Sequence, residues 1–192
     1  MSLLAQKKKG FTIPEGAYQG ILVGVYDLGT QTSEKYQNEA QKVAFIWELP
    51  EVDTAFDAPV TLCKIYTNSL HEKATLRSHV EAILGRSLSD SEAEKGVELN
   101  QLLGANAQLY VVQTESNGRT RMNIRNVTPL MPKTKKLKSY SEHVYYELNP
   151  AQDIPPVTPK WIESLIMKSK EWEAGVSDEE EPPSEETLKE PF

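Results

Sequence analysis

The chain has 192 residues, with 21 lysines and arginines against 28 aspartates and glutamates, for a net charge of −7. That length suits one domain of ordinary size with extensions and can bury a core without disulfides or structural metal. A single cysteine, Cys63, excludes an intrachain disulfide framework and reads as a small buried hydrophobe of a reducing compartment. No run approaches the roughly 18 continuous apolar residues of a membrane span. At the N-terminus the lysines follow a short apolar start, the wrong order for a signal peptide, so the expectation is a soluble, cytoplasmic protein without a membrane partner.

Residues 1–16 read as a flexible basic arm carrying Lys7, Lys8 and Lys9 and ending in turn residues Pro14 and Gly16. From Tyr18 to Leu28 the period is two, with Ile21, Val23 and Val25 on one face and Tyr18, Gly20, Leu22, Gly24 and Tyr26 on the other. Gly20, Gly24 and Gly29 suggest curvature or close backbone approach. Residues 29–41 are polar and read as a long functional loop holding Lys35 and Tyr36. The second strand, 42–49, puts Val43, Phe45, Trp47 and Leu49 on a core face and Lys42, Ala44, Ile46 and Glu48 opposite. Phe45 and Trp47 are read as core, with base stacking as the sharper alternative.

An acidic connection, 50–59, leads to the stretch on which the functional reading rests. Residues 60–67 form a half-exposed strand with odd positions Cys63 and Ile65 toward the core and Lys64 and Tyr66 on the even face. Asn68 and Ser69 offer cap oxygens ahead of a helix whose apolar spacing runs from Leu70 to Leu84 and stops at Gly85. A weaker helix opens at Ser89 with Asp90, Glu92 and Glu94 and loosens at Gly96, and Asn100 caps one last turn. Alternation resumes at Gln108, and Asn117-Gly118 supplies a hairpin turn. The returning strand carries Arg119, Arg121, Asn123 and Arg125 on one face and Met122 and Ile124 on the other. Three guanidiniums without an acid among them suit an anionic partner, although a solvated face is the plainer account.

Beyond Pro129, Lys133, Lys135, Lys136 and Lys138 are either a phosphate track or a solvated linker. An edge strand is expected over 143–148. A proline-rich connection then leads to a helix starting at Thr158-Pro159, with Trp161, Ile162, Leu165, Ile166 and Trp172 on or near one stripe, packed on the body or in a dimer contact. Residues 177–192 hold seven acids against one lysine and are disordered by composition. They carry −6 of the −7, leaving −1 for the other 176 residues. His71, His79 and His143 show no metal-ligand spacing, and no phosphate-loop, dinucleotide or hydrolase motif is present, so nothing recommends an enzyme, a metal or a cofactor.

Three strands, a helix, then a hairpin into a fifth strand resembles the oligonucleotide-binding barrel, whose second and third strands and first-to-second and fourth-to-fifth loops face the ligand. An acidic tail ending in Glu190-Pro191-Phe192 resembles the C-terminal tip of bacterial and phage single-stranded DNA-binding proteins, except that Lys189 stands where the tip usually has acids. The body is similar to small phage-encoded DNA-binding proteins through Phe45-Ile46-Trp47-Glu48-Leu49-Pro50, residues 66–73, Leu76-Arg77 and Leu102-Leu103-Gly104.

The resulting expectation is a mainly β protein: an oligonucleotide-binding-like Greek-key barrel over 17–150, a proline-rich connection and helix over 151–176, and a disordered tail. The resemblance implies a non-catalytic protein of phage DNA replication or recombination, in the host cytoplasm. It would coat single-stranded DNA through Lys35, Tyr36, Lys42, Lys64, Tyr66, Arg119, Arg121 and Arg125. Replication or repair proteins would dock on Glu190, Pro191 and Phe192, and a homo-oligomer is compatible. A protein interaction adaptor on the same barrel is the alternative, and a metal-dependent nucleic-acid enzyme using acids such as Glu48, Glu51 and Asp53 is a lower one.

Overall fold

The computed structural model describes residues 12–33, 38–52, 58–116 and 118–178. The architecture is mainly β. Six strands, β1 (Gly16–Ser33), β2 (Asn38–Leu49), β3 (Val60–Thr67), β4 (Asn106–Ser116), β5 (Arg119–Thr128) and β6 (Val144–Tyr146), form one sheet in the order β3-β2-β1-β4-β5. All pairings are antiparallel except β6, which runs parallel to β1. Short helices complete it: α1 (Thr75–Leu84), α2 (Asp90–Lys95) and a 3-10 turn (Leu99–Leu102) between β3 and β4, then α3 (Lys160–Ile166) and α4 (Lys170–Asp178).

The sheet is not closed into a barrel. β3 and β5, at its two ends, face each other without a backbone ladder. Where they approach, the Lys64 ammonium donates to the Ile124 carbonyl oxygen at 2.5 Å, so a side chain takes the acceptor that a neighbouring strand would have used. The expected edge strand at 143–148 forms as the shorter β6, paired on one side only. It pairs Gly24, Val25 and Tyr26 of β1, beyond the Gly16–Ile21 stretch that β4 pairs.

Residues 29–41, expected as a long loop, are mostly strand. β1 and β2 stay in register from Thr30↔Gln41 to Ser33↔Asn38, and only 34–37 lie outside the described residues. A shift between Asp27 and Thr30 makes this possible: Gly29 adopts φ +62°, and Asp27 Oδ1 accepts its N–H at 2.9 Å. The polar composition that suggested a loop is that of a ribbon reaching past the core.

The core is double. Leu22, Val25, Phe45, Trp47, Leu49, Leu62, Tyr66, Leu109 and Val111 pack on one face with Leu76 and Val80 of α1. Ile21, Val23, Tyr26, Ala44 and Ile46 pack on the other with Tyr146 and with Ile162 and Ile166 of α3. A second register shift between Leu22 and Gly24 breaks the parity of β1, which is why its alternation did not reveal which face was covered. Gly20 is needed at a close approach, since a Cβ there would sit 2.9 Å from Leu109 Cγ.

Three expected details are corrected. On β3 the even face is the core, with Val60, Leu62 and Tyr66 buried and Ile65 43% exposed. The helix after β3 starts at Thr75, because Asn68 is held back: its N–H donates to Gln41 O at 2.8 Å, tying the segment to β2. The C-terminal helix is two helices. Ser169, fully buried, accepts from Trp172 N–H at 3.3 Å and donates to Ile166 O at 2.7 Å, ending one helix and starting the next.

Candidate nucleic-acid interface

The free edge of β3 borders two adjoining clefts. One, of about 670 Å³, lies between β3 and β5 and is lined by Lys64, Ile65, Arg121, Met122, Asn123 and Trp161, among others. The other, of about 420 Å³, lies toward the start of α1 and is lined by Lys42, Lys64, Thr67, Lys73 and Thr75. They meet at Lys64 and Ile65, and among the described residues neither has an aspartate or glutamate in its lining. The result is a track along β3 with four cations: Lys42, Lys64, Lys73 and Arg121.

Each cation is positioned by its strand or turn. Lys42 starts the two-sided buried stretch of β2, opposite Thr67, and donates to Thr67 Oγ1 at 2.8 Å. Lys64 points across the seam. Burial holds its pKa below the usual lysine value, and one donor is used on Ile124, leaving two for an incoming anion. Arg121 is exposed, opposite Thr114 on β4, and makes no ion pair among the described residues. Lys73 lies in the turn before α1 and is exposed.

The arginine row divides. Arg119 and Arg121 alternate as a strand requires, but a register shift at Tyr110/Val111 leaves Arg125 as the extra residue between Ile124 and Asn126. Arg125 therefore borders a different depression, with Tyr110, Gln108 and Asn126. None of Lys133, Lys135, Lys136 and Lys138 lines the β3 track. Their segment is strapped to β1 and β4: Gln19 Nε2 donates to Lys135 O and Asn106 Oδ1 accepts from Leu137 N–H, at 2.9 and 2.8 Å.

Tyr66 is 3% exposed and offers no ring face to a ligand. It packs edge-on to Phe45 at 5.0 Å, and its hydroxyl donates to His79 Nδ1 at 2.9 Å. Phe45 and Trp47 are fully buried, which removes them as stacking platforms. Glu48, expected on a solvated face, is also fully buried, and its carboxylate accepts the N–H groups of Tyr140 at 2.7 Å and Ser141 at 2.9 Å. The Cys63 thiol, beside the track, is pushed up to about 12 by burial and stays protonated at neutral pH. Lys35, Tyr36, Glu190, Pro191 and Phe192 lie outside the described residues.

Sequence reasoning missed Trp161 and Lys73. Lys73 was legible only as part of a helix that does not form there. Trp161 was assigned to the apolar stripe of its helix, whereas Ile162 and Ile166 take that face and leave Trp161 47% exposed. On the sheet itself Tyr110 of β4, beside Arg125, and Tyr145 of β6 are also exposed, and neither lines the β3 track. No protein-family model and no curated protein matches the chain.

Proposed function

We propose that the protein binds single-stranded DNA without sequence preference, coating it during replication or recombination of the kind phage encode proteins for. The observation that carries this reading is the track along β3, lined by no acid among the described residues, where four cations converge in a chain whose net charge is −7. Clustered cations on an acidic protein mark a place where polyanion affinity is concentrated. The strand order adds support. β3-β2-β1-β4-β5, with helices inserted after β3, is the order of an oligonucleotide-binding barrel whose β3–β5 seam is left open, and that fold tolerates partial opening.

Fluorescence anisotropy of a labelled thirty-nucleotide oligo(dT), titrated with salt and compared with a duplex of equal length, tests the reading. Four phosphate contacts predict a log–log salt slope of about −3 for a single strand. The double variant Lys73→Ala/Arg121→Ala, which leaves the Lys64 staple in place, should weaken binding and reduce the slope to about −1.4. Absence of binding at low salt, or equal affinity for duplex, would overturn the proposal.

A further inference from the structure

We propose that Trp161 is the base-stacking platform of this track, so that the site takes an unpaired base as well as a phosphate chain; the inference rests on the reading above. The chain has three tryptophans. Trp47 is fully buried and Trp172 half-buried, while Trp161 is 47% exposed and lines the β3–β5 cleft together with Lys64, Ile65 and Arg121. Ile65, 43% exposed, adds a second apolar surface to the same cleft.

The exposure of Trp161 is built into the fold and is not the fraying of a loose end. Ile162 and Ile166, one turn apart on α3, are both fully buried against β1 and β2, which fixes the helix rotation and turns position 161 away from that face. Gln31 Nε2 donates to Leu165 O at 2.9 Å, and Glu171 accepts from Thr30 N–H at 2.7 Å, tying α3 and α4 to the β1–β2 ribbon. A large indole held half in water beside cations, with no acid among the described lining residues, is complementary to a nucleobase next to its phosphate. Bases in a duplex are already stacked on each other, so an indole platform favours single strands. The site is thereby completed by a helix that lies outside the five-stranded sheet order.

Tryptophan emission of the full-length protein, titrated with oligo(dT), oligo(U) and an abasic oligonucleotide of equal length, reads the contact directly. Binding of the two base-bearing strands should quench emission, and the abasic strand should bind in a salt-dependent way without that quench. Trp161→Phe keeps a ring and should bind near the wild-type level with most of the quench gone. Trp161→Ala should lose about tenfold in affinity with the salt slope unchanged. An undiminished quench in Trp161→Phe, or wild-type affinity in Trp161→Ala, overturns the role of Trp161 while oligo(dT) binding and its loss in Lys73→Ala/Arg121→Ala still stand. Absence of oligo(dT) binding by the wild-type protein overturns both.

Discussion

His79 shows how a residue's burial becomes a pH response. It is 2% exposed, between the Tyr66 hydroxyl on Nδ1 and Asn126 Oδ1, 3.3 Å from Nε2. An amide oxygen only accepts, so Nε2 carries the proton and Nδ1 accepts from Tyr66, which satisfies the neutral ring on both sides. Its pKa falls to about 4, chiefly because burial penalises the charged form and secondarily because the Lys64 ammonium is near, while the bond to Asn126 opposes the shift. The unfolded chain takes up this proton near pH 6.5 and the folded chain only near 4. The stability that neutral His79 contributes is therefore complete above about pH 6.5 and drains away as pH falls toward 4, by at most ~3 kcal/mol. Urea midpoints measured from pH 7 to 5 should fall for the wild type and change less for His79→Gln; parallel profiles for the two proteins would refute the assignment.

At the scale of elements, the C-terminal helices do more than close the chain. They cover one face of β1 and β2, which are buried on both sides as a result, and they present Trp161 at the edge of β3. Ile166 is fully buried in that contact. Ile166→Ala should cost about 2–5 kcal/mol, depending on how far the surroundings collapse into the space, and should appear as a lower urea midpoint. Because the same helix orients Trp161, oligonucleotide affinity should fall in parallel; a destabilised variant with unchanged affinity would separate the helix from the site. Secondary structure here was readable where local chemistry was sufficient. Ser89 and Glu92 form the reciprocal cap that starts α2, and Gly85 closes α1 at φ +69°. It was unreadable where a distant partner decides, as at Asn68, which pairs with Gln41 and does not cap a helix.

For the molecule as a whole, charge is unevenly placed, with −6 in residues 177–192 and −1 in the rest. If the β3 track binds DNA as proposed, that negative charge repels the strand wherever the two come within a Debye length, about 10 Å at 0.1 M salt and about 3 Å at 1 M. Truncation after residue 176 should tighten oligo(dT) binding several-fold at low salt, and the gain should vanish as salt approaches 1 M. Equal affinities of the truncated and full chains at low salt would show that the acidic segment does not act on this site.

The mainly β class, the approximate places of the first five strands, the turn at Gly118 with its φ of +69° and the outward-facing arginines at 119 and 121 were all set by short-range periodicity and turn chemistry. Alternation along the chain likewise put Lys64 on β3 and Arg121 on β5, the two strands between which the cleft lies. Only the tertiary structure decided which faces are covered, because a register shift in β1 and another in β5 reverse parity without any sign in the residue pattern. It likewise turned Tyr66 inward and left Trp161 outward: a strand whose even face packs under α1 and a helix anchored by two isoleucines place each ring by contacts made with other elements of the fold.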